Sequence, residues 1–314
     1  MELRHLRYFV AVAEEAHITR AAERLGMQQP PLSQQIKALE RELDVQLLRR
    51  KPRGVELTDC GRVFLEEARA ILAHLNHATD VAQRTARGEQ GRISIGYTSA
   101  AAFHPLVQRV NREFREAYPL VSMTLAEDSP FDLVKHLQNG QIDVAYIRTP
   151  IPDLQAIVIH PLHREAMIAA LPSGHALARK GGPSPSLKDL AGNTFIAFGN
   201  AHTALSMQSN ALVAACQKAG FTPHIGHVAA NNLSRLNLVA AGLGIAVVSA
   251  AMQRMSIEGV VYRRLNAPQL KIPLDVASRR GDASAAVQNF IRLAKRTART
   301  FRMDWAKRPR AHRA

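Results

Sequence analysis

Ser33, Gln34, Lys37 and Arg41 recur at helical spacing within the stretch QQPPLSQQIKALEREL, Gln28 to Leu43. Hydroxyl, amide and cationic groups of this kind read base edges and phosphates in a DNA major groove. Leu32, Ile36, Leu39 and Leu43 fall at i, i+4, i+7 and i+11, which puts four apolar side chains on the opposite face of the same helix. Pro30 and Pro31 suit its first turn, so the helix starts at about Gln29. Upstream, Thr19 is expected to cap a short helix, TRAAERL, that buries Ala22 and Leu25 and stops at Gly26. Two short helices joined by a tight glycine turn make a helix-turn-helix. Taken alone, the same pattern also suits an amphipathic surface helix with a solvated polar face.

The flanking segments favour the first reading. Leu3, Leu6, Phe9, Val10 and Ala13 form a 3.6-period stripe that can cover the two helices from behind. After them, RRKPR (Arg49 to Arg53) brings four cations in five residues, Arg50 among them. Pro52-Arg53-Gly54 is a turn between two short extended pieces, a wing whose tip carries Arg53 toward a minor groove; a merely solubilising basic turn is the alternative.

From Thr58 a long helix is predicted to run to about Arg87 and stop at Gly88. Phe64, Ala68, Ile71, Leu75, Ala78 and Ala82 repeat at 4, 3, 4, 3, 4, a seam of period 3.5. A helix about 45 Å long has no core of its own for such a seam. Its simplest partner is the same helix from a second copy, giving a two-fold dimer; packing on its own C-terminal domain is the alternative.

Composition sets bounds. The chain has 314 residues, 46% apolar and 21% charged, which suits two or three globular domains. The longest apolar run, Leu238 to Met252, is interrupted by Gly242 and Gly244 and reads as a buried helix, turn and strand instead of a membrane span. The N-terminus lacks a signal-peptide pattern, which points to the cytoplasm. Cys60 and Cys216 are far apart and outside any C-x-x-C, so no disulfide framework or thiolate metal site is expected. His160/His163 and His224/His227 sit three apart in expected strands, on opposite faces, and should not chelate. The formal charge of +15 is unevenly spread. Residues 1–62 hold 11 Lys/Arg against 9 Asp/Glu, whereas residues 292–314 hold 9 against 1.

Beyond GEQG the pattern alternates between strands and helices. Strands are expected at Ile93–Tyr97, Val121–Leu125 and Ile142–Ile147, with helices around Leu106–Phe114 and Phe131–Leu137 between them. A second set has strands at Ala166–Leu171, Thr194–Phe198 and Ile245–Val248, and helices at SLKDLA, Ala204–Lys218 and Leu233–Ala241. Strands Val260–Leu265 and Leu270–Ala277 and a helix from about Ser284 close the chain. This implies a mainly parallel sheet in two α/β lobes, with crossings near Arg164 and Ala267 and a cleft for a small molecule.

The residues quoted above, MELRHLRYFVAVAEEAHITRAAERLGMQQPPLSQQIKALERELDVQLLRRKPRGVELTDCGRVFLEEARAIL, resemble the N-terminal part of LysR-type transcriptional regulators over residues 1 to 72. AAERL, QPPLSQQI, LE, RGVELT and AxxIL occur in the family's order and spacing. GQIDVAYIR, LPSGHALA and AAGLGIAVVS resemble its effector domain more weakly. Within the family the chain is most similar to the branch that includes activators of butanediol and acetoin operons and regulators of aromatic-acid catabolism.

The resemblance implies a winged helix-turn-helix over 1–58, a long dimerisation linker helix over 59–88, and a two-lobed α/β periplasmic-binding-protein-like effector domain over 91–302. Lobe I would comprise 91–164 and 267–302, lobe II 165–266, and a basic tail would follow at 303–314. It also implies a homotetramer, a dimer of dimers, on an inverted-repeat operator in double-stranded DNA, acting as an activator with a small co-inducer and with RNA polymerase as a candidate partner. No cofactor, metal or catalytic residue is implied. Base-reading positions carry over to Gln29, Pro30, Ser33 and Gln34, with Arg53 in the wing and Lys37 and Arg50 beside them. Phe64, Ala68, Ile71, Leu75 and Ala78 would make the dimer contact. Gln28 stands where the family usually has Ser, and Asp44 where it usually has Gly.

In the cleft, Thr98 and Ser99 end the first strand and open a helix, and Ser129 does the same one unit later. Asn200, His202 and Thr203 lie in the matching loop of the second lobe, and Arg148 closes a strand. Hydroxyls, helix amino ends and one guanidinium converge best on a carboxylate, so a small organic acid is the expected effector. The basic tail reads as a frayed helix end or as an accessory DNA contact. A transport protein would need export. An enzyme would need a G-x-S-x-G, H-E-x-x-H or Walker pattern, and none is present. The competing function is a cytoplasmic small-carboxylate binder or enzyme without a DNA role.

Overall fold

The computed structural model describes residues 1–302 apart from 53, 150, 152–155, 180–181, 201–203 and 206. Arg53, His202, Thr203 and the tail from 303 therefore lie outside the described residues, and Asn200 is placed by its backbone alone. The chain forms two compact units, Met1–Arg84 and Thr85–Ala314.

The first unit comprises α1 (Leu3–Glu15), α2 (Ile18–Arg24), α3 (Gln29–Leu43), the hairpin β1 (Leu48–Lys51) and β2 (Gly54–Leu57), and α4 (Asp59–Ala86). The apolar period of α3 does what its spacing requires: Leu32, Ile36 and Leu39 are buried against Leu6, Phe9, Val12, Ala21 and Ala22. The start of α2 differs from expectation. His17, extended at φ −156°, is the residue before the helix, so Thr19 lies inside it and caps nothing. The buried stripe of α1 is also displaced: Leu3 is exposed, while Ala11 and Val12 are buried, because α4 covers α1 as well and the Phe9 and Phe64 ring centres lie 5.3 Å apart. The same contact corrects the view that α4 has no core of its own. Leu65 and Ala68 are buried in the first unit, and Phe64 and Leu72 pack against it.

The second unit continues with β3 (Gln90–Tyr97), α5 (Ser99–Ala102), α6 (Pro105–Ala117), β4 (Leu120–Glu127), α7 (Pro130–Gln138), β5 (Val144–Ile147) and β6 (Ile157–Pro172). Then come β7 (Thr194–Asn200), β8 (Ala204–Leu205), α8 (Met207–Lys218), β9 (His224–Ala229), α9 (Asn232–Ala240), β10 (Ala246–Ser249), β11 (Val260–Arg264), β12 (Lys271–Arg279) and α10 (Ala285–Thr300). The main sheet has the order β10-β6-β12-β5-β3-β4, with β11 also on β6, and a smaller sheet has the order β8-β7-β9.

The main sheet is mixed, which corrects the mainly parallel expectation. β3 runs parallel to β4 and β5, but β12 is antiparallel to both β5 and β6. The sixteen-residue β6 passes unbroken from one lobe to the other, and β12, coming back from the second lobe, runs against both β6 and β5. It pairs with β12 as far as Ala166 and with β10 from Met167 onward. SLKDLA forms only a 3-10 turn at Lys188–Leu190, and the helix expected from Ala204 begins at Met207 after the short β8.

In the first lobe α6 and α10 cover one face of the sheet and α7 the other, which is why all four residues of β5 are buried. In the second lobe α9 packs Leu236 and Val239 on Ile168, Ile196 and Val248, while Leu212 and Cys216 of α8 face Phe195 and Val247. Among the described residues no helix is long and apolar enough to cross a membrane.

Candidate nucleic-acid interface and effector cleft

Because Leu32, Ile36 and Leu39 are buried, α3 turns Pro30, Gln34 and Lys37 to solvent, with Gln29 and Ser33 half-exposed beside them. All three cations of β1, Arg49, Arg50 and Lys51, are exposed. The Arg50 guanidinium donates to Ser33 Oγ at 3.4 Å, so strand and helix present one continuous polar surface. Six of the seven residues singled out for DNA contact thus share this face, and the seventh, Arg53, lies outside the described residues.

Local side chains fix the geometry between helix and wing. The Glu40 carboxylate accepts from the Leu47 and Leu48 amides at 2.9 and 3.0 Å. Thr58 Oγ1 donates to Gln46 O at 2.7 Å and accepts from Gly61 N at 2.9 Å, which caps α4. Gly54, at φ +142°, is the hinge of the wing: a Cβ there would sit 2.3 Å from Ala16 O, whose carbonyl already accepts from Val55 N. The sequence reading did not single out Glu40. A carboxylate in the last turn of a helix opposes the dipole, and that misfit was the available signal. Asp44 takes the left-handed conformation, φ 54°, that ends α3.

The proposed cleft residues separate into two groups. Thr98 is buried at the head of α5, with its Oγ1 lacking any partner among the described residues, and Ser99 follows half-buried. Ser129, in contrast, is exposed and already committed: its Oγ accepts from Asp132 N at 3.2 Å and donates to Asp132 Oδ2 at 2.6 Å, capping α7. That cap removes it from the set. Arg148 is not free either. Its Nη2 donates to Glu165 Oε2 at 2.6 Å and reaches Ala100 O at 3.4 Å, while its Nε is buried without a partner among the described residues.

Glu165, on β6, is wholly buried and its second oxygen accepts from the Ala251 amide. His104 lies 3.8 Å away; its Nδ1 accepts from Leu106 N at 3.2 Å and caps α6. Burial, helped by Arg148, His163 and Arg254, pushes the His104 imidazole down to about 3, so the ring is neutral. Thr149 Oγ1 donates to Asp275 Oδ2 at 2.6 Å, and burial raises that carboxyl. Glu165, His104 and Asp275 escaped the sequence reading. Each is a polar residue in or beside an apolar strand or helix, which marks burial without naming a partner.

A winged helix-turn-helix beside a two-lobed α/β domain with a polar, buried crossing defines a class, a DNA reader coupled to a small-molecule domain. Comparison with known proteins specifies it. Residues 3–62 match the model of the bacterial regulatory helix-turn-helix protein, lysR family, and residues 86–299 match that of the LysR substrate binding domain. The chain is 37% identical over 294 residues to the HTH-type transcriptional regulator AlsR of Bacillus subtilis, covering 93% of this chain and 95% of that one. It is 36% identical over 293 residues to BudR of Raoultella terrigena, covering 93% and 100%. Among solved structures it is similar to full-length CbnR complexed with its target DNA, with a TM-score of 0.80, 28% identity, and 95% and 100% of the two chains covered. The chain belongs to the LysR family of DNA-binding transcriptional regulators. It is a regulator and not an enzyme, and its second unit is the family's ligand-binding domain.

Proposed function

We propose that this regulator responds to a small organic acid held between the lobes and that it grips an inverted-repeat operator as a self-paired assembly. Support for the acid comes from two buried donors without a partner among the described residues, Thr98 Oγ1 and Arg148 Nε, beside the amide of Ser99. An arginine whose Nη2 is held by Glu165 still offers its Nε edge to a second carboxylate. The proposed set also includes Asn200, His202 and Thr203, the last two outside the described residues. On the DNA side, Gln29, Pro30, Ser33, Gln34 and Lys37 of α3 contact bases and backbone, with Arg50 and Arg53 alongside.

Self-pairing is supported by the outer part of α4. Ala68 and Phe64 are used by the first unit itself, which leaves Ile71, 43% exposed, with Leu75 and Ala78 as the contact. The acid is tested by thermal denaturation of the full chain with acetate, short hydroxy acids, benzoate and muconate. A binder at a hundredfold excess over its Kd raises stability by about 2.7 kcal/mol. Thr98→Val, which removes only a hydroxyl, should abolish that shift. No shift from any acid, or a shift that Thr98→Val leaves intact, rejects this site.

A further inference from the structure

Residues 1–62 contribute only +2 of the formal charge of +15. A second block without any counter-charge lies on α10 of the second unit, a sixteen-residue helix without a single Asp or Glu. Arg292, Lys295, Arg296 and Arg299 are all exposed, and exposed Arg302 follows the helix. Spaced at i, i+3, i+4 and i+7, the first four fall in one strip. The opposite face, with Val287, Phe290, Ile291 and Ala294, is buried in the first lobe.

Among the described residues none of the five cations is in an ion pair. Arg292 donates to Asn289 Oδ1 at 3.1 Å and Arg302 to Phe301 O at 3.1 Å. Glu113 of α6 is the carboxylate nearest in effect, and it is engaged elsewhere. It accepts from Thr297 Oγ1 at 2.6 Å and from Arg109 at 2.7 Å, and these hydrogen bonds, with a smaller share from Arg296, hold its carboxyl low.

Cations near a helix carboxyl end are favoured by the dipole, but only within the last turn. Arg292 lies two turns from the end of α10. Arg292/Arg296 and Lys295/Arg299 are like-charge pairs at i, i+4, which disfavour the helix. A row kept against that repulsion needs an anion of matching regularity. Arg292 to Arg299 spans about 10 Å of helix, close to the axial rise of three phosphates on one DNA strand. Protein surfaces mix their charges, whereas a duplex backbone does not.

We propose that the exposed strip of α10 is a second nucleic-acid contact, carried on the ligand-binding unit, which holds duplex DNA through its phosphates without reading sequence. Partition of contacts follows: α3 and the wing select the site, while α10 adds salt-sensitive affinity on any duplex.

The test uses the full chain with Arg292, Lys295, Arg296 and Arg299 all replaced by glutamine, and a duplex lacking any operator. Each lost phosphate contact lowers the slope of log affinity against log salt by about 0.9. Loss of four contacts shrinks the fall in affinity between 50 and 200 mM salt by roughly a hundredfold. The same loss should appear when Ser33→Ala and Gln34→Ala have already removed operator selection, and the chain should melt no lower than the parent, since the like-charge pairs are gone. A slope equal to that of the parent chain overturns the proposal. So does an unchanged slope with lost transcription by added RNA polymerase, which would assign the strip to an acidic protein surface.

Discussion

The two units handle polar chemistry in opposite ways. In Met1–Arg84 the functional groups stand outward on a helix whose apolar side is the core, so Gln34 and Lys37 are exposed and mostly unengaged. In the second unit the corresponding groups face inward. Arg148, Glu165, His104 and Asp275 are buried or nearly so; Arg148 is held by Glu165 and Asp275 by Thr149, while Arg148 Nε has no partner among the described residues. A surface that must accept any duplex before choosing a site needs donors ready in water. A pocket that must respond to one small molecule needs donors whose present partners hold the lobes in a defined state.

That contrast can be broken most forcefully at Arg148. Arg148→Ala leaves Glu165 buried without its cation, and removal of one partner from a buried pair costs about 3–5 kcal/mol. Ser33→Ala or Gln34→Ala, on the exposed face, should leave stability unchanged and cost about 1–3 kcal/mol in operator discrimination per base contact. Denaturant unfolding and operator titration of the three variants decide this. Equal stability losses in both units would erase the distinction. Loss of induction in Arg148→Ala would also be ambiguous, which is why Thr98→Val is the cleaner probe of the ligand.

A pH series sharpens the comparison further. His104 titrates at about 3 in the folded chain and near its ordinary 6.5 when unfolded. Between those values the unfolded chain binds the extra proton, so stability is complete above about 6.5 and is lost as the pH falls toward 3. The slope is at most about 1.4 kcal/mol per pH unit. His104→Asn keeps an acceptor for Leu106 N and removes the titration, so calorimetry between pH 7 and 4 should show a flatter dependence. An unaltered dependence would mean that the buried ring is not what the acid attacks.

The smallest effect is expected at the end of α3. Asp44 adopts φ 54°, a conformation that costs a residue with a Cβ about 1–2 kcal/mol. Asp44→Gly should therefore raise the stability of the first unit by about 1 kcal/mol without moving the polar face. No gain in melting temperature would show that the Asp side chain compensates locally.

Periodicity explains why the first unit was legible. The helix from Gln29, the glycine turn at Gly26, the wing and the length of α4 are each set by residues within a few positions of one another. The cap of α2 was misread because Thr and His can both precede a helix, and only the extended backbone at His17 separates them. The seam on α4 was incomplete in consequence, since a period cannot say whether Phe9 or a second chain meets Phe64. In the cleft, Thr98 emerged from the strand-to-helix junction, but Ser129 was indistinguishable from it until the Asp132 contacts placed it as a cap.

By itself the order of amino acids determined the modules, their succession, the family and the outward face of α3, because all of these follow from short-range pattern and recognisable motif. Tertiary structure alone decided that Arg148 meets Glu165, seventeen positions on, and that Glu165 meets the amide of Ala251, eighty-six further. It also decided that two of the six positions of the α4 seam, Phe64 and Ala68, are already covered. The physical reason is the same in each case: a charge or an apolar side chain announces that it needs a partner, and only the folded chain supplies one.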